Sequence, residues 1–293
     1  MEVAILGCGY VGLELGRRLS GSHSVYGIRR SSEGLSAIDD AGFKAVQADL
    51  TDSDSLSGIP DVDVLVFAAS AGRGTDAARS VYVDGMRTVV DHFGARDSVP
   101  DRLVYTSSTG VYGDFDGEWV DESTPIEPTT ERQQLLLDAE ALALDRTASV
   151  GMSGTVVRFG GLYGPGRYRL DRYLESPVTE GVLNLTHRAD AAGAIEFLLE
   201  TGRGGGEIVI AVDEEPVEKT ELVRWLAREH GTDPPTVQTP RETIAERDLD
   251  EAAAHRLRAN KRCSSAKLRT MGYEFQYPTY RDGFKPAIES SPS

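Results

Sequence analysis

The chain has 293 residues and carries 47 Asp and Glu against 31 Lys and Arg, a formal net charge of −16. That length and apolar content suffice for one large or two modest domains, while the negative excess repels phosphate backbones and anionic bilayers and argues against nucleic-acid or membrane partners. Two scattered cysteines, Cys8 and Cys263, form neither a disulfide framework nor a metal-ligand pattern, so no metal is expected.

Met1–Gly12 reads as a short buried strand running into Gly7-x-Gly9-x-x-Gly12 and then a helix over Val11–Leu19. Gly7 permits a tight turn, Gly9 removes a Cβ that would block a pyrophosphate, and Gly12 lets helix and strand approach closely. Tyr10 and Val11 belong to the same cofactor-binding turn, where phosphates meet the helix N-terminus. An ordinary glycine-bearing turn would serve no ligand. The strand before this one, and Leu13, Leu15 and Leu19 after it, favour the nucleotide site.

The next apolar run, His23–Ile28, ends in Arg29-Arg30-Ser31, where NAD enzymes usually carry a carboxylate for the ribose 2′-hydroxyl. Two charged forks and a hydroxyl suit a 2′-phosphate, so NADP is expected over NAD, with NAD remaining open.

Further strands are expected at Ser24–Ile28, Lys44–Ala48, Val62–Ala69, Leu103–Thr106, Thr155–Phe159 and Glu207–Val212. The segments between the earlier ones are long enough for helices. This alternation predicts an α/β fold: a Rossmann-type doubly wound parallel sheet with right-handed crossovers. Arg188–Glu200 reads as an amphipathic helix and Thr201–Gly206 as a glycine-rich surface connection. Beyond Val212 come a helix over Lys219–Gly231, a Pro-rich loop, one charged helix from about Arg241 to Arg258, and a closing Tyr/Phe/Pro segment. The expected division is a dinucleotide-binding domain over 1–165 and a smaller C-terminal substrate domain over 166–293, with 186–212 returning to the sheet. Disorder is expected only in the Pro286–Ser293 tail.

Three stretches carry a family resemblance: Ser107-Ser108-Thr109-Gly110-Val111-Tyr112-Gly113, Arg158-Phe159-x-x-x-Tyr163-Gly164-Pro165-Gly166, and His187-x-x-Asp190. Their order and spacing resemble the extended short-chain dehydrogenase/reductases, the NAD-dependent epimerase/dehydratase group. The resemblance implies that Ser108 is the catalytic hydroxyl and that Asp49, beside Leu50, holds the adenine amino group. It also implies that Ala68 and Ala69 lie beneath the cofactor, and that a homodimer is possible. The family's proton donor is a Tyr-x-x-x-Lys pair. Counting back from Glu140, which resembles the glutamate that follows that tyrosine, the pair falls on Arg132 and Leu136. No tyrosine in the chain has a lysine four residues later, and no lysine occurs between Lys44 and Lys219. The Thr-Asp-Glu of the family's dehydratases is replaced by Ser108-Thr109-Gly110. The chain therefore resembles the atypical branch that keeps the nucleotide loop without the catalytic pair.

Other groups have two readings each. Arg158, Arg167, Arg169 and Arg172 around Gly164-Pro165-Gly166 form either a solvated loop or a clamp for a diphosphate or carboxylate. His187 reads as a structural residue starting the Arg188 helix, with general acid as the alternative. The basic stretch His255–Arg269 is expected to pack against the acidic body. Asp114, Asp116, Glu118, Asp121 and Glu122 read as a charged loop in which a displaced proton donor could lie.

The function expected is an NADP-binding, epimerase/dehydratase-like oxidoreductase with atypical or weak catalysis. Its small-molecule substrate would be a sugar, nucleotide-sugar or other hydroxy/carbonyl compound. The rival is a catalytically silent dinucleotide-binding sensor or scaffold, so turnover itself stays open. The chain opens on a strand, and its longest apolar run, Val62–Ala69, is too short to cross a bilayer. A cytoplasmic location is the expectation.

Only five lysines occur among many Arg, Asp and Glu. Such a surface resembles that of proteins from salt-accumulating halophiles, or belongs to an acidic protein from a GC-rich genome. On the halophilic reading, melting temperature climbs steeply from about 0.01 to 1 M KCl, as the screening length contracts from about 30 to 3 Å. A flat melting profile leaves the ordinary acidic protein.

Overall fold

The computed structural model describes residues 1–72, 74–249 and 251–290. It divides into two compact units, the first made of Met1–Val111, Glu131–Arg158 and Ala191–Val209, the second of Tyr112–Thr130, Phe159–Asp190 and Ile210–Ser293.

Seven strands form one sheet: β1 (Glu2–Leu6), β2 (Ser24–Arg29), β3 (Lys44–Gln47), β4 (Val64–Phe67), β5 (Arg102–Ser108), β6 (Ser153–Phe159) and β7 (Glu207–Ala211). Their order is β7-β6-β5-β4-β1-β2-β3. The pairs β1·β2, β1·β4, β2·β3 and β4·β5 are all parallel, with Ile5 opposite both Gly27 and Val66. Strand order reverses between β1 and β4, because the chain crosses back over β1 after building outward to β3. Such a switch point leaves a crevice at the carboxyl ends of the strands. Every residue of β4 is buried, the continuous apolar run that a sheet covered on both faces requires. The Val62–Ala69 run is strand only over Val64–Phe67. Ala68 still donates its N–H to Leu6 O (2.8 Å) before the chain leaves the sheet.

Helix α1 (Tyr10–Leu19) buries Val11, Gly12, Leu15, Gly16 and Leu19. Helix α2 (Glu131–Ala141) buries Gln133, Leu135, Leu136, Ala139 and Glu140. The Arg188 helix spans Arg188–Thr201 but is not amphipathic in its first half, where Asp190 through Ile195 are all buried. A run of alanines reads as one face of a surface helix, yet small side chains equally suit enclosure on all sides.

Among its described residues, the second unit holds four two-stranded ladders and its own core of Tyr163, Leu185, Val217, Leu222, Leu226, Tyr280 and Phe284. The Lys219 helix is observed at Lys219–Glu229. Two expectations are corrected here. The charged segment after Arg241 is two helices, Pro240–Arg247 and Glu251–Arg258, because Asp248 adopts the left-handed conformation (φ 45°); Asp250, which the single helix would have included, lies outside the described residues. The C-terminal segment is helical over Tyr280–Ser290 with Pro286 inside it. Burial of Tyr280, Phe284 and Ala287, with Phe284 stacked on Tyr163 (5.0 Å), offsets the missing proline N–H. Residues 291–293 of the expected tail lie outside the described residues.

Within the first unit, Glu140 of α2 accepts from Arg158 Nε (2.9 Å) and Nη2 (2.5 Å) and from Ser107 Oγ (2.6 Å). The two charged side chains are 4% and 3% exposed, so neither can turn to water. Removing one partner of such a pair strands a buried charge. Glu140→Ala is expected to cost about 3–5 kcal/mol in urea unfolding. A loss below about 1 kcal/mol, the range of a surface pair, would show that Arg158 finds another acceptor.

Candidate functional site

At the carboxyl end of β1, Gly7 has φ 79°, a conformation that glycine alone adopts without strain. A Cβ there would stand 2.3 Å from Ala69 Cα, so the turn after β1 and the segment after β4 touch across the switch point. A Cβ on Gly12 would meet Ile5 Cγ2 at 2.9 Å, the helix-on-strand contact expected of the third glycine. No side-chain cap hydrogen bond is made at Gly9, so the turn directs the first-turn N–H groups of Val11 and Gly12 toward the place an anion would take. These features fit a pyrophosphate. Cys8, buried beneath this turn, has its thiol pushed up to about 12 by burial, against the opposing charge of Arg29, and is no nucleophile.

Arg29 lies across the turn, its Nη1 3.0 Å from the position of a Gly9 Cβ. Arg30 extends outward, its side chain 69% exposed, and reaches Asp49 Oδ2 at 3.4 Å. Asp49 Oδ1 accepts from the N–H (3.0 Å) and hydroxyl (2.8 Å) of Thr51, and the Thr51 N–H bond foremost holds its carboxyl below the usual range. Leu50 beside it is buried, whereas Ala68 and Ala69 are partly open. Ser108 ends β5, and its Oγ accepts from Gly110 N–H (3.1 Å), which leaves its own O–H to donate.

Arg132 and Leu136 both lie on α2. Arg132 is exposed, while Leu136 is buried. Arg158 is no clamp: its pairing with Glu140 removes it from the arginines near Gly164-Pro165-Gly166. The acidic loop is structural in its best-defined members. Asp121 Oδ1 accepts from Ser123 and Thr124, Asp114 Oδ1 from Asp116 and Asn260 N–H groups, and Glu122 from Ile210 N–H (2.7 Å). In the basic stretch, Arg262 pairs with Glu218 (2.6 Å) and Arg269 with Glu214 (3.0 Å).

His187 ends the short strand Leu185–His187, directly before the Arg188 helix, and is 2% exposed. Burial, with the charge of Arg188, brings its pKa down to about 4, so the ring is neutral. It neighbours Asp213, which accepts from Tyr163 OH (2.8 Å) and His187 N–H (3.3 Å). Asp190 accepts from Tyr273 OH (2.9 Å) and from the N–H groups of Gln276 and Tyr277 (2.7 and 2.9 Å), which ties the closing aromatic segment to the start of the helix. The His-x-x-Asp element is thus a structural anchor within the second unit. Sequence reading missed Asp213; nothing in its Ala-Val-Asp-Glu-Glu surroundings separates a buried carboxylate from exposed ones.

Comparison with known proteins agrees with this architecture. Residues 3–211 match the profile of the NAD dependent epimerase/dehydratase family. The chain belongs to that family. Among curated relatives, Protein YeeZ of Escherichia coli (strain K12) is 30% identical over 285 residues, spanning 94% of this chain and 96% of that protein. A 3-diazoavenalumate denitrifying reductase of Streptomyces sp is 32% identical over 148 residues, 46% of this chain and 47% of that one. A solved structure from Methylobacillus flagellatus, a candidate NAD-dependent epimerase/dehydratase, is 31% identical with a TM-score of 0.77, covering 99% of this chain and 98% of that one. Among the described residues no helix is long and apolar enough to cross a membrane, and no group of His, Cys, Asp or Glu is arranged to hold a metal ion.

Burial raises the Asp213 pKa from 3.8 to about 7, so the folded state binds its proton more tightly than the unfolded chain does. Its contribution to stability is complete below pH 3.8 and is lost as pH rises through 7. His187 acts oppositely: with its pKa lowered from 6.5 to about 4, its contribution is present above 6.5 and is lost as pH falls through 4. Melting temperature of Asp213→Asn, measured against wild type from pH 4 to 8, should therefore gain on wild type as pH rises. Parallel curves would place the Asp213 titration elsewhere.

Proposed function

We propose that the chain is an NADP(H)-dependent, epimerase/dehydratase-like oxidoreductase acting on a sugar, nucleotide-sugar or other hydroxy/carbonyl compound. The observation that carries this reading is the uncapped α1 N-terminus behind Gly7, at the switch point, with two arginines at the end of the neighbouring strand. In this reading Gly7, Gly9, Tyr10, Val11 and Gly12 receive the pyrophosphate, and Arg29 and Arg30 the 2′-phosphate. Asp49 and Leu50 border the adenine, and Ala68 and Ala69 leave room beneath the dinucleotide. A bound nicotinamide dinucleotide supplies hydride exchange. Ser108, with its O–H free to donate, holds the substrate oxygen. With Arg132 and Leu136 in place of the family's tyrosine and lysine, α2 offers no acid near neutral pH, so proton transfer falls to another group. A reductase among the relatives, matched over part of the chain, supports redox chemistry over a silent scaffold.

Charge-assisted contacts contribute about 1.5–3 kcal/mol each, so Arg29→Ala with Arg30→Ala should weaken NADPH binding by roughly ten- to a hundredfold and NADH binding much less. Titration calorimetry of both cofactors on both proteins measures this. Equal losses, or a wild type that prefers NADH, would reject the 2′-phosphate assignment.

A further inference from the structure

With no acid on α2, the phenols of the first unit near the carboxyl edge of its sheet are the nearest proton donors to consider. Strand register confines the search. Phe67 of β4 pairs with Tyr105 of β5, so Ala68–Ala71 and Thr106–Ser108 continue side by side from the carboxyl edge where Gly7 and Ala69 touch. Four tyrosines belong to this unit. Tyr10 stands in the phosphate turn. Tyr26 OH takes a bond from Lys44 (3.2 Å) on the outer strand pair β2·β3. The other two are Tyr82 and Tyr105.

Tyr82 lies in the wide, π-type turn Arg79–Gly85, against which α2 packs. Its oxygen accepts from Ala71 N–H (3.2 Å), four residues beyond the last residue of β4 and two beyond the contact with Gly7. The bond occupies an acceptor site and leaves the phenolic proton to give. Tyr82 is 9% exposed, so it has an edge at the surface, whereas Tyr105 is wholly enclosed and its O–H has no partner. A buried hydroxyl left unbonded costs stability and calls for a reason. Burial foremost pushes the Tyr105 phenol far above the ordinary tyrosine range, with the charges of Tyr82 and Glu140 adding to the rise and Ser107 and Arg132 opposing it. Tyr82, the Ser107–Glu140 hydroxyl–carboxylate pair and the Arg132 cation therefore all lie within electrostatic reach of the enclosed Tyr105 O–H.

We propose that Tyr82 gives the proton to the oxygen of the bound carbonyl compound, and that the enclosed Tyr105 serves as a positioning group that steadies the phenolate left behind. This rests on the oxidoreductase reading above. In the reducing direction the carbonyl carbon accepts a hydride from a reduced nicotinamide dinucleotide and the π pair moves to oxygen. The Tyr82 O–H bond breaks, its proton forms the alcohol, and the phenolate regains a proton from solvent. The carbonyl compound is reduced and the dinucleotide oxidised. This assignment keeps a phenol as the proton donor, moved from α2 to the Arg79–Gly85 turn.

The test uses the full chain with tyrosines 13C-labelled at Cζ, the Tyr82 signal being assigned by its loss in Tyr82→Phe. NADPH should shift that signal in wild type while leaving the Tyr26 signal in place. NADPH should bind Tyr82→Phe within about twofold of wild type, yet single-turnover reduction of 9,10-phenanthrenequinone should slow by about 10²–10⁴-fold, the range of general acid catalysis. Tyr105→Phe should keep both binding and the Tyr82 shift but slow the reaction by about tenfold or more, the size of a lost hydrogen bond to a charged group. Absence of NADPH binding overturns the oxidoreductase reading together with this one. Binding without a Tyr82 shift, an unchanged rate in Tyr82→Phe, or a wild type that binds NADPH but leaves the quinone unreduced overturns the assignment of Tyr82 alone.

Discussion

The close approach of Gly7 to Ala69 is the constraint on which the rest of the first unit depends. Two neighbouring parallel strands whose connections depart in opposite directions must leave the sheet without colliding, and here the clearance would not admit even a methyl group. Gly7 meets this with a left-handed backbone and no side chain, Ala68 and Ala69 with minimal ones. The same geometry aims the bare N-terminus of α1 along the crevice. Steric necessity in the fold and access for an anion are therefore met by the same few residues.

Behind that edge the polar groups are organised rather than scattered. Glu140 gathers Arg158 and Ser107 in a nearly dry setting, and each of its oxygens is used. Burying a carboxylate this way adds little net stability compared with an apolar replacement, but it is costly to break and so holds α2, β5 and β6 in one arrangement. The second unit follows the same logic with different chemistry. Asp190 ties down the closing aromatic segment through three donors, and Asp213 joins Tyr163 to the backbone of His187. In both units a carboxylate that looks unremarkable in sequence fixes where chain segments distant in sequence meet.

The negative excess is distributed differently. Many of the acidic residues lie in exposed pairs such as Arg281 with Glu215 and Glu221, or Arg18 with Glu196. Such pairs contribute little individually. Arg281 bridges two of these carboxylates at once with its planar fork.

Periodicity and glycine placement made the parallel sheet and the glycine turn after β1 legible, because each is governed by local backbone sterics and by runs of a few residues. The Gly7-x-Gly9-x-x-Gly12 turn, the buried β4 and the arginines at the end of β2 needed no partner from elsewhere in the chain to be recognised. The absence of a Tyr-x-x-x-Lys pair was equally legible, being a statement about spacing alone. Where pairing across long separations decides the outcome, sequence was silent. Arg158 looked like part of a solvated arginine loop until Glu140 took it, Pro286 looked like the start of a loose tail until Tyr163 stacked on Phe284, and Asp248 broke a helix that composition left continuous. Tyr82 belongs to the same class. One tyrosine among eleven, it acquires meaning only because tertiary folding sets its hydroxyl against Ala71 at the edge of β4 and lays Tyr105 within reach. Local rules determine which elements form, while the burial of charge and hydroxyl, summed over contacts far apart in the chain, decides which side chains are left with a proton to give.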